Sequence, residues 1–166
     1  IILGFAACIC ANYLADLFVS GLNFFGIYPE LPDAQTESEP AAFIMLTLYT
    51  ALFPALVEEF AFRGVCLGAF RKFGDGFAII MSSMLFALLH GNLLQIPFAF
   101  LVGIVFGYIA VKLNSLLPCI IIHFLNNLYS VIINEVGTHM ELHAYSLLCG
   151  IFGVVFIFAG IFALIY

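Results

Sequence analysis

Stretches of apolar sequence long enough to cross a lipid bilayer recur along this chain, and they dictate what it can fold into. Between Ile1 and Ile27 only Asp16 carries a charge. A helix needs about 20 apolar residues to span the hydrocarbon. Inside lipid every backbone N–H and C=O must find a partner within the protein, which leaves helices and closed barrels as the only spanning structures. Of the 166 residues, 65% are hydrophobic and 8% charged, against about 25% charged in an average soluble domain. Such a chain could not cover a water-facing surface. The expected fold is all-α, a polytopic transmembrane helical bundle of about six membrane helices.

The expected helices cover residues 1–27, 41–70, 77–90, 93–112, 116–134 and 144–166. Between them, YPELPDAQTESEP (28–40) reads as an acidic, proline-rich loop and RKFGDG (71–76) as a turn. KLNSLLP is a break, and NEVGTHMELH a second polar loop. Pro54 is the expected bend of the long second helix. Arg71, Lys72 and Lys112 fall together on one side of this arrangement. The positive-inside rule makes that side cytoplasmic, along with both ends of the chain. Four Lys and Arg against a net charge of −6 exclude a phosphate-binding patch and hence a nucleic-acid partner. The five cysteines are scattered and read as small apolar fillers. A chain that opens on Ile1 is expected to be part of a longer one, and no cleavable signal is read at its start.

Polar residues inside the spans are costly unless paired or hydrated, and they mark functional positions. In ALVEEFAFRGV (55–65), Glu59 and Arg63 are spaced i, i+4 and are expected to pair. Glu58 points about 100° away from Glu59 round the helix and has Phe62 four residues on. It is the expected proton-trading group. Counted from the basic end at about 1.5 Å per residue, Glu58 lies about 18 to 20 Å deep, His90 about 20 Å, His123 about 11 to 15 Å and Asn127 about 16 to 21 Å. His123 and Asn127 share one helical face, whereas Asn126 is expected to pack or cap elsewhere. HMELH (139–143) is not a zinc helix, because H-E-x-x-H puts the Glu directly after the first His. His139, Glu141 and His143 are read as solvated loop.

Glu58-Glu59-x-x-x-Arg63, Phe86-x-x-x-His90 and His123-x-x-x-Asn127, in that order and on three helices, resemble the signature motifs of the CPBP intramembrane proteases. That family includes the type II CAAX prenyl endopeptidases and bacteriocin-processing or self-immunity enzymes. The resemblance implies an intramembrane endopeptidase acting on a peptide or lipidated peptide in the membrane, CAAX-like or leader/bacteriocin-like. It implies a catalytic core over 41–134. Residues 1–40 form a first membrane helix with the acidic loop, and 135–166 a polar loop with the last helix. Glu58 would activate water, His90 would hold or polarise it, and His123 and Asn127 would donate to the oxyanion. Glu59 and Arg63 would support the site, with Phe86 packed against His90.

One Glu and two His, namely Glu58, His90 and His123, could also form a zinc site with an open water position. Asn127 is a poor zinc ligand and a good oxyanion donor, so a glutamate-type protease without a metal cofactor is favoured and zinc is the alternative. Buried Glu and His also suit a proton-coupled transporter, although the matched broken-helix halves of transporters are not visible here. A non-catalytic membrane scaffold or immunity protein is the third reading. Cleavage of a membrane peptide in detergent separates the first class from the other two.

Overall fold

The computed structural model describes residues 1–28 and 40–165; the acidic stretch expected as the first loop lies almost wholly outside them. The described residues are predominantly helical and contain no strand. The helices are α1 (Ile2–Phe24), α2 (Ala41–Phe73), α3 (Asp75–Leu89), α4 (Gln95–Leu113), α5 (Leu117–Thr138) and α6 (Leu142–Ile165). Five of them are long and apolar enough to cross a membrane.

α3 is the exception. Its 15 residues extend about 22 Å at 1.5 Å per residue, short of the roughly 30 Å hydrocarbon core. It ends at His90, and the chain returns to α4 through Gly91, whose φ of +61° suits a residue without Cβ. Asn92 Oδ1 accepts from the Leu94 N–H at 2.9 Å, which stabilises this turn. Irregular backbone at membrane depth is tolerated where it lines a cavity, and this turn sets His90 at the edge of one.

The interior combines an apolar core with a set of buried polar side chains. Glu59, Arg63, Ser82, Ser83, His123 and Asn126 are buried, while Leu17, Phe158 and Leu164 face outward. α3 and α4 pack closely against each other. A Cβ on Gly103 would lie 2.9 Å from Ser83 Cβ and 3.1 Å from its Cα, the small-residue approach that membrane helices use in place of a hydrophobic driving force. α1, α4 and α5 share an apolar cluster around Phe5, Cys8, Phe106, Cys119 and Ile122, and Phe156 of α6 packs edge-on against Phe5. The five cysteines are unpaired, and Cys8 and Cys119 fill this cluster.

Two boundaries differ from expectation. The polar segment after residue 134 is not all loop: α5 continues to Thr138, with Glu135 and His139 3.3 Å apart one turn on. Polarity there marks emergence from the bilayer, not the end of the helix. α2 is not simply bent at Pro54. It widens to π geometry over Leu48–Leu52, directly before the proline, and again over Phe60–Cys66. Such insertions are frequent at functional sites.

Candidate active site

Glu58, His90, His123 and Asn127, from α2, the α3 end and α5, line one cavity of about 780 Å³, together with Phe86. Its walls are formed by α2, α4 and α5, and Gln95, Asn134 and Glu135 stand at the end where α2 and α4 begin and α5 finishes. None of Arg71, Lys72 or Lys112 lines it. The mouth therefore lies opposite the basic side, not on it, because antiparallel helices carry residues 41, 95 and 138 to one end and 73, 113 and 117 to the other. His139 and His143 lie outside the cavity on exposed positions.

Beneath the cavity sits the Glu59–Arg63 pair. Arg63 Nη1 donates to Glu59 Oε1 at 3.0 Å, and both side chains are fully buried. Nη2 donates to the Gly103 carbonyl at 3.2 Å. The guanidinium lies 4.3 Å from the Phe86 ring centroid and 5.4 Å from that of Phe106, a desolvated geometry in which cation–π attraction is strongest.

Glu59 does more than hold Arg63. His123 Nδ1 stands 2.9 Å from the same Oε1. A carboxylate that already accepts from a guanidinium can only accept, so His123 Nδ1 carries the hydrogen. Its Nε2 then faces Glu58 Oε2 at 3.8 Å. His90 is fixed by the same logic: Nδ1 donates to the Phe86 carbonyl at 3.0 Å, leaving Nε2 with a free lone pair in the neutral ring. The Phe86 ring packs edge-on to both imidazoles, at centroid distances of 5.0 Å to His90 and 5.9 Å to His123. Among the described residues, no three His, Cys, Asp or Glu side chains are grouped so as to hold a metal ion.

Asn127 is placed by α2. Pro54 has no N–H to offer the carbonyl four residues back, that of Thr50. Asn127 Nδ2 donates to that carbonyl at 3.3 Å, and Asn126 Nδ2 donates to Asn127 Oδ1 at 3.4 Å. Asn126 thus belongs to the cavity wall, contrary to its expected place. A helix angle of about 100° separates neighbours, but here both amides are drawn to the same cleft. Sequence reasoning also stopped short along α5. Ser130 and Asn134 continue the stripe from His123 and Asn127 at +7 and +11, and that polar periodicity was the available signal.

Neither curated proteins nor solved structures yield a match to this chain. A family model does: residues 40–129, just over half the chain and the whole stretch that builds the cavity floor, match the one described as type II CAAX prenyl endopeptidase Rce1-like. On that match the chain belongs to this family of membrane endopeptidases.

Proposed function

We propose that the cavity hydrolyses a peptide bond by a glutamate-type mechanism. The observation that carries this reading is the opposed placement of His123, with Nδ1 on buried Glu59 and Nε2 facing Glu58 across 3.8 Å. Glu58 takes a proton from water as the oxygen attacks the scissile carbonyl. His90 Nε2 accepts the water's other hydrogen and aims it. The developing oxyanion accepts from the Asn127 amide and from His123, whose Nε2 donates when the ring is an imidazolium held by Glu59. Glu58 then returns its proton to the leaving amine. Oxyanion donors of this kind are worth about 3 to 4 kcal/mol each. The test is Glu58→Gln, which keeps shape and packing. Cleavage of a membrane peptide in detergent should vanish while the helical circular dichroism stays unchanged, and more than a few per cent residual activity would remove Glu58 from the role.

The loops bearing Arg71, Lys72 and Lys112 are assigned to the cytoplasm by the positive-inside rule. The cavity mouth then faces the other side, which favours a leader- or bacteriocin-type peptide over a cytoplasmic prenylated tail. Single cysteines at Lys72 and Asn134, in a chain freed of its own cysteines, should label with impermeant maleimide only at Asn134. Labelling at Lys72 alone would reverse the orientation.

A further inference from the structure

Glu135 stands at the mouth of the cavity, half-buried, and no Lys or Arg of the chain is placed to meet it. The four such residues are accounted for. Arg63 is committed to Glu59 beneath the site, and Arg71 pairs with Asp75 at 2.8 Å. Lys72 and Lys112 lie over Phe73 and Tyr108 at the opposite end. Among the described residues, His139 Nε2, on an exposed side chain, approaches Glu135 at 3.3 Å. Among the described residues the cavity therefore carries two carboxylates, Glu58 at its floor and Glu135 at its mouth, with no permanent cation in its lining.

We propose that Glu135 is a specificity residue that receives a Lys or Arg side chain of the substrate peptide; this rests on the protease reading given above. The spacing sets the position. Glu135 is eight residues beyond Asn127 on α5, about 12 Å along the helix. An extended peptide advances about 3.3 Å per residue, so the cation sits three to four residues from the bond cleaved at Asn127. Between them, Ser130 and Asn134 supply polar side chains on the same face, suited to hydrogen bonds with an extended backbone. The facing wall, with Phe43, Phe53 and Phe98, is apolar and takes the apolar side chains.

The test uses quenched fluorescent apolar peptides with one Lys moved along the sequence, each matched by a Gln peptide, in detergent micelles. Cleavage is read with the wild-type chain and binding by anisotropy with Glu58→Gln. Peptides with Lys three to four residues from the cleaved bond should show kcat/KM roughly 3- to 10-fold above their Gln partners. Glu135→Gln should erase that preference, and Glu135→Lys should transfer it to matched Glu peptides. Cleavage by the wild type with no Lys preference, or a preference untouched by Glu135→Gln, would overturn the subsite and leave the protease reading standing. A Glu135-dependent binding preference without any cleavage by the wild type would do the reverse.

Discussion

Replacing Glu59 by Leu strips the buried Arg63 guanidinium of its one carboxylate, leaving it only the Gly103 carbonyl and two aromatic faces. Breaking a buried pair from one side costs about 3 to 5 kcal/mol, because an uncompensated charge stays in the interior. Arg63→Met strands Glu59 in the same way, although His123 Nδ1 still donates to it, so its loss should fall at the lower end of that range. The double variant removes both charges and replaces them with apolar groups of similar volume, which is often close to neutral. With a double variant close to neutral, the expected coupling is the sum of the two single losses, about 6 kcal/mol or roughly 10,000-fold in the folding equilibrium. Unfolding by SDS in mixed micelles, followed by far-UV circular dichroism, measures it. Activity should not follow stability. The double variant should fold yet remain inactive, because the His123 ring has lost the acceptor that orients it. Additive losses in the cycle, or wild-type cleavage by the double variant, would refute the pairing and the positioning role respectively.

Gly103→Val should destabilise by about 1 to 3 kcal/mol, as overpacking does, because Ser83 backbone already lies against that position; a wild-type midpoint in the same SDS titration would contradict the close α3–α4 approach. Asn127→Ala should lower kcat about 100-fold or more, whereas Asn126→Ala, one hydrogen bond further back, should lower it less than tenfold; equal losses in steady-state assays would show that Asn127 does not act directly. Activity should survive prolonged chelation with no zinc found by elemental analysis, and loss on chelation restored by zinc would turn the site into the metal reading.

What the sequence made legible followed from the bilayer. Apolar runs, loop chemistry and the depth of each polar residue are all linear quantities, and they suffice to bring Glu58, His90, His123 and Asn127 to one level. What stayed hidden depends on how helices face each other. The hydrogen bond from His123 to Glu59 crosses 64 positions and no i, i+4 rule reaches it. Asn126 reaches the cleft through its amide bond to Asn127, a side-chain contact that helix angle alone does not assign. The end at which the cavity opens is not legible in the sequence, because charge patterning orients the bundle without showing where its helices part.

Two adjacent glutamates end up in different solvents, and this separation organises the site. Glu59 is wholly buried, while the Glu58 side chain retains 21% of its exposure. About 100° of helix turn divides them: one faces the tight α3–α4 floor where Arg63 compensates it, the other faces the cavity where water can reach it. His123 spans that divide with one ring. Its Nδ1 is held in the dry half, where a hydrogen bond to a charged group is strong and its geometry fixed. Its Nε2 is presented to the wet half, where the proposed hydrolysis would take place. Swapping the two environments would destroy the arrangement even with every residue type retained. An acid that must exchange protons needs hydration, and an acid that must hold a ring needs none.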